Sequence, residues 1–490
     1  MIFSLKKWSL LNSCFNTGTM TPYVPSAENP WDKQKVLHLY RRIGFGASFE
    51  QVESALLQNP GDLIDSLVDE AINTPLTPAP EWAYWNWFDY TDPNNQIGEH
   101  REFLYKQFML DMLSNGLRDK LTLFWSNHFV TQIEVYDSPP YMFQYYTLLQ
   151  QQALGNLKDF VSAVGLTPAM LVFLNANQNT AAEPNENYGR ELYELFTLGE
   201  NNGYTQMDIV ETAKALSGYT LNPIPWGPIE FNDADHDHND KTIFGQTGDW
   251  GYDDVINILF EQKSNEIAEH LCTKLYRFFV SNDPNPDVIQ AMKTTYLDNN
   301  FEIVPVLKQL FKSEHFFNEN IIGVQVKSPM EVALSYVNQT GFTLNDEVLQ
   351  GIAYLGALLG QVLFNPVDVA GWQGDRDWIN ASTLTGRWLT IEYYVFGIFE
   401  SFPTELTTLA YSIVGESTDP AYVTKQIVDY FIPNGLQTVD AYIQATDVFK
   451  WEVPQNYYDN NLWSLDWDTV PTQVALLLVH IGRIPASQLT

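Results

Sequence analysis

Three groups of residues in this 490-residue chain have the types and the spacing to do chemistry. In the segment 184–199, Glu186, Arg190 and Glu194 recur at every fourth position, so one helical face carries carboxylate, guanidinium, carboxylate. Pro184 and Asn185 stand at its start, and Gly199 suits the left-handed residue that closes a helix. If this face is exposed it is a ladder of ion pairs worth roughly a few tenths of a kcal/mol each. If it is enclosed, Arg190 depresses the pKa of one neighbour while a second carboxylate, less well paired, stays poised as an acid or base. The second group is Asp233-Ala234-Asp235-His236-Asp237-His238-Asn239-Asp240-Lys241, with four carboxylates and two imidazoles in nine positions. It is not an EF-hand, because His238 stands where the turn glycine belongs and Phe244 where the bidentate glutamate belongs. Asp235, His236, Asp237 and His238 are candidate metal ligands, and a hydrated acidic loop is the bland alternative. The third is His128, which shares the helical i, i+3, i+4, i+7 face of Leu121, Phe124 and Trp125 and therefore points inward. Such an imidazole is either a hydrogen-bonded core residue or one held neutral by burial, ready to act as base or ligand.

The aromatic stretch 82–90 supplies rings that stack on ligands or fill core. Gly371-Trp372-Gln373-Gly374 places Trp372 on a tight turn at a cavity rim. Gly44-Phe45-Gly46 follows a helical pattern rather than a strand and is no nucleotide loop. No Gly-x-Ser-x-Gly elbow, P-loop or His-Glu-x-x-His pattern occurs.

Helices must position these groups. Ser48 with Gln51, Thr205 with Asp208, and Ser328-Pro329-Met330-Glu331 read as helix starts with capping boxes. Leu104-Phe108-Met112 and Ile267-Leu271-Leu275-Phe278 have the spacing of buried helical stripes. Alternating strand patterns are scarce. The class is mainly α: a large single helical domain over 31–490, with few short strands, behind an irregular arm at 1–30. Three stretches rich in Pro, Gly, Asp and Asn interrupt the pattern, at 73–80, 222–251 and 365–377, and loops of that kind tend to be functional.

Acidic residues outnumber basic ones 60 to 26, for a formal charge of -34, which argues against nucleic acid or an anionic membrane surface as partner. Cys14 and Cys272 are the only cysteines, too few for a disulfide framework or a thiolate metal site, and Cys272 reads as a small buried hydrophobe. No run is long enough for a transmembrane segment. Residues 6–14 are similar to a lipoprotein signal, but the apolar stretch is short and Asn12 interrupts it, so no clear signal peptide is present.

Several segments together resemble a large bacterial family known as domain of unknown function 1800. They are Leu39-Tyr40-Arg41-Arg42-Ile43-Gly44-Phe45-Gly46, Phe124-Trp125-Ser126-Asn127-His128-Phe129 and Pro184-Asn185-Glu186-Asn187-Tyr188-Gly189-Arg190-Glu191-Leu192. Further matches are His236-Asp237 with Lys241, Lys274-Leu275-Tyr276-Arg277-Phe278-Phe279-Val280 and Val369-Ala370-Gly371-Trp372-Gln373-Gly374. The resemblance implies a mainly helical fold, a periplasmic or exported location, and a protein partner resembling phosphatases and sulfatases. It implies no established reaction.

The expectation is that the carboxylate helix, the helix of His128 and the His236 loop converge on one polar cleft. There His128, Glu186, Arg190, Glu191 and His236 would be catalytic, with Asn127, Asn187, Tyr188, Lys241 and Trp372 in the cleft or at its rim. The chemistry would be hydrolytic or general acid/base, on a small-molecule or polymer ligand, with a divalent cation as the possible cofactor. The alternative is a non-catalytic exported binding or assembly protein whose signature residues form a structural polar network.

Overall fold

Cap chemistry sets the helix boundaries in the computed structural model, which describes residues 19–490. Ser48 accepts from the Gln51 N–H while the Gln51 side chain accepts from Ser48 N–H, and Thr205 with Asp208 and Ser328 with Glu331 close the same reciprocal box. Each box satisfies donors that the first helical turn leaves free, and so fixes where the helix begins.

The architecture is mainly α, with 23 α-helices and only two short strands among the described residues. Leu104, Phe108 and Met112 are fully buried on helix Pro93–Ser114. Ile267, Leu271 and Leu275 line the inner face of helix Ser264–Phe279 with Phe279, and Phe278 turns to its flank. Each such side chain contributes about 1.5–3 kcal/mol of burial. Toward the C-terminal side, helices Ala381–Ser401, Pro403–Val414 and Val439–Lys450 all pack on helix Val470–Arg483. One continuous apolar core runs through both regions. Cys272 is fully buried within it, and burial pushes its thiol up to about 12, so it behaves as a hydrophobe. The lipoprotein-like stretch lies outside the described residues; the following segment docks through Tyr23, whose ring meets Phe317 at 4.9 Å. No described helix is long and apolar enough to cross a membrane.

The segment 184–199 is helical but not one regular helix. A short α-helix, Asn187–Glu191, passes into a π-helical turn, Leu192–Thr197, and Leu198 N–H reaches back five residues to Tyr193 O at 2.9 Å. Gly199 does adopt a left-handed conformation (φ +93°), and a Cβ there would sit 2.8 Å from His270 Nδ1. Glycine is therefore required both by the backbone angle and by the histidine pressed against it.

The two strands, Lys241–Ile243 and Gln246–Gly248, pair antiparallel with Thr242 opposite Thr247. Phe244 and Gly245 make the turn, both with positive φ (+47° and +79°), as a tight hairpin needs. This hairpin carries Asp249 back beside Lys241 and His238.

Candidate active site

A cavity of ≈ 520 Å³ opens between helix Leu117–His128, helix Ser264–Phe279 and the loop of Trp372. His128 and Lys274 lie in its wall, with Arg277, Glu331 and Asp375 as further charged lining and Phe124, Phe278, Trp372 and Trp378 as aromatic lining.

His128 is 3% exposed, and its two ring nitrogens have different partners. Nε2 lies 3.0 Å from Phe196 O, a carbonyl that only accepts, so Nε2 carries the proton. Nδ1 is then the lone-pair nitrogen, and Lys274 Nζ donates to it at 3.0 Å. Lys274 also reaches Leu195 O at 3.4 Å, as does Nε2 of His270 at 3.3 Å. The carbonyls of Leu195 and Phe196 belong to the π-helical turn. Widening of that turn replaces the ordinary i to i+4 ladder, and the two carbonyls bond side chains instead. The 184–199 segment thus shapes the cavity through its backbone.

Burial first, then the charge of Lys274 and the neighbouring His270, hold His128 well below the usual imidazole range. Burial, then Arg277, brings the Lys274 amine down to about 8. His270, half-buried nearby, falls to about 4 through desolvation and then the charge of Lys274. Of these three neighbouring nitrogen bases only Lys274 titrates near neutral pH.

Trp372 is held by a two-way clasp. Asn127 Oδ1 accepts from Trp372 N–H at 2.6 Å, and Asn127 Nδ2 donates to Trp372 O at 3.0 Å. A Cβ on Gly371 would fall 2.3 Å from Asn127 Oδ1, so the clasp closes only over glycine. Trp372 is 8% exposed and its indole Nε1–H has no protein partner. A buried donor left unpaired at a cavity wall is a place for a ligand acceptor.

Glu331 joins the cavity to the interior. One carboxylate oxygen accepts from Ser328 N–H at 2.6 Å as part of the capping box, and the other pairs with the buried Lys120. Arg42, also buried, donates to Phe278 O and Phe279 O at 2.8 Å each and to the Gln325 side chain. Burial would raise the Glu331 carboxyl, but Lys120, the Ser328 N–H and Arg42 outweigh it and hold it at about 2.

The other expected site residues lie elsewhere. Glu186, Arg190 and Glu191 do not line this cavity, nor does His236. Arg190 bridges Glu186 at 3.0 Å and Glu194 at 3.3 Å on a half-exposed face, and Gln206 bonds both Arg190 and Glu186. Burial and the neighbouring Glu194 push the Glu191 carboxyl up. Asn187 is exposed, whereas Tyr188 is buried with its hydroxyl 3.3 Å from that of Tyr252. His236 and His238 face Asp249 on the hairpin, and Lys241 is fully buried with Nζ 2.8 Å from Asp249. Asp235 accepts from Thr220 and Asn232, and Asp237 from Asn239, so both aspartates serve the loop's own hydrogen bonds. In the aromatic stretch Trp82 is buried and stacks on His100 at 4.3 Å, while Tyr84 and Phe88 are exposed.

Residues 38–479 match the family described as "Protein of unknown function (DUF1800)", and the chain belongs to that family. No curated protein and no solved structure matches it.

Proposed function

We propose that the cavity carries out general acid/base chemistry, of the hydrolytic kind, on a small polar molecule, with Lys274 and His128 as the working pair. The reading rests on one observation: an amine hydrogen-bonded to an imidazole whose tautomer is fixed, both in the wall of a cavity. Two N–H positions of Lys274 are committed to His128 Nδ1 and Leu195 O. The remaining position is an N–H in the ammonium form and a lone pair in the amine form. Lys274 can therefore give or take a proton there without losing the bonds that place it. With its pKa near 8, both forms are populated at working pH. Arg277, exposed and one helical turn from Lys274, suits an anionic group of the substrate, and the Trp372 indole N–H suits an acceptor on it.

The Glu186, Arg190 and Glu194 ladder, with Gln206, supports the structural reading for that part of the signature. Its bonds tie helix Asn187–Glu191 to helix Gln206–Ala215, and so help set the π turn behind His128.

Hydrolysis of p-nitrophenyl esters, phosphates and glycosides by the purified chain tests the proposal. Turnover of at least one class is expected, rising with pH through an apparent pKa near 8. Lys274→Met should abolish it, by roughly 10²-fold or more, as for loss of a general base, with thermal stability and circular dichroism retained. Turnover of none, or turnover that Lys274→Met leaves intact, would overturn the proposal.

A further inference from the structure

Outside the cavity lining, His236, His238 and Asp249 each offer one ligand atom, and these atoms all lie within 4.8 Å of one another. Two features of the surroundings fit metal ligation. His236 Nδ1 lies 2.9 Å from Ser217 O, so Nδ1 carries the proton, the ring is fixed, and the lone pair is on Nε2. Asp249 gives one oxygen to the buried Lys241 Nζ at 2.8 Å, which orients the carboxylate and leaves its second oxygen facing His238 Nδ1 at 3.5 Å. An imidazole donating to a backbone carbonyl and a carboxylate steadied by a hydrogen bond are the outer supports that metal ligands carry.

We propose that His236, His238 and Asp249 form a binding site for a borderline divalent cation of the zinc class. Two imidazoles and one carboxylate suit such a cation better than calcium or magnesium, which prefer all-oxygen shells. Bonds of about 2.0–2.2 Å put tetrahedral donor atoms roughly 3.3 Å apart. The half-exposed side chains of His238 (55%) and Asp249 (49%) must therefore draw in by up to about 1.5 Å, and their exposure lets them do so. His238 turns Nδ1 toward Asp249, and its other nitrogen, Nε2, keeps Asp233 at 3.3 Å as an outer support. Three protein ligands leave the fourth position to water, on the solvent side of the hairpin. Asp235 and Asp237, committed to hydrogen bonds within the loop, are not ligands in this arrangement.

Calorimetric titration of the tag-free, chelator-treated chain with Zn²⁺ alone, alongside the visible spectrum with Co²⁺, tests the site. One Zn²⁺ per chain, a Co²⁺ spectrum of low coordination number, and binding much weaker for Ca²⁺ and Mg²⁺ are expected. His238→Asn and Asp249→Asn, both at exposed positions, should each weaken Zn²⁺ by about a hundredfold or more, since loss of an outer support alone is worth 10–100-fold. Asp240→Asn, on the same acidic loop but outside the triad, should stay within about twofold. Absence of stoichiometric Zn²⁺ binding would overturn the site. So would His238→Asn and Asp249→Asn binding as tightly as the parent, or Asp240→Asn weakening it equally, since either marks diffuse attraction to an acidic loop.

Discussion

The Glu186, Arg190 and Glu194 ladder and the Glu331 network use the same chemical groups to opposite effect. Along the ladder, Arg190 and Glu186 are each more than a third exposed, and water screens whatever they gain from one another. At Glu331 a single carboxylate lies mostly buried near four cations that are nearly inaccessible: Arg42, Lys120, Lys327 and Arg387. Three of those cations are tolerated because main-chain carbonyls accept their hydrogen bonds: Phe278 O and Phe279 O from Arg42, Ser487 O from Lys327, Lys327 O from Arg387. Burial, then the crowding of like charge led by Arg41, still drives Lys327 down to about 7. What an ion pair does for this protein is thus decided by depth, and spacing along a helix says little about depth.

The sharpest way to break the contrast is to remove the carboxylate that these cations surround. Glu331→Gln leaves Lys120 charged and without its counter-ion, and chemical denaturation should show a loss of about 3–5 kcal/mol. The pH dependence follows from the direction of the shift. The Glu331 carboxyl is held at about 2 in the fold, below its ordinary 4.5, so its contribution is fully present above about 4.5 and is lost as the pH falls toward 2. The stability difference between parent and Glu331→Gln should therefore shrink across that window. A difference that is flat from neutral pH to 2 would show that the carboxylate is not paired in solution.

The smallest effect belongs to the ladder. Arg190→Ala should lower stability by roughly 0.5 kcal/mol or less, and raised salt should shrink the difference further. A loss comparable to that of Glu331→Gln would mean that the ladder is a buried network and that the contrast is mistaken.

Much of the helical frame was legible because capping boxes and 3.6-residue stripes are local. Ser328 with Glu331 shows the limit of that legibility. Its sequence announces the helix start and the reciprocal hydrogen bond, yet the second carboxylate oxygen is taken by Lys120, more than two hundred positions away in the chain. His128 could be read as inward-pointing from its apolar face, and Trp372 as a rim residue from its flanking glycines. Lys274 and Arg277 carry no local sign of chemistry, because a cation on the flank of an amphipathic helix looks like its solvated edge. Only tertiary packing sets Lys274 against His128. The π turn leaves no periodic trace, although it supplies the carbonyls that orient both histidines. Asp249 joins His236 and His238 only through the hairpin register.

The most direct test of the central claim is the ionisation of Lys274, read as the pH dependence of its acetylation rate in the native chain by competitive labelling and mass spectrometry. An accessible amine with an apparent pKa near 8 is what the cavity and the His128 bond require. An amine titrating near the ordinary 10.5, or one that no reagent reaches while the chain stays folded, would contradict the account.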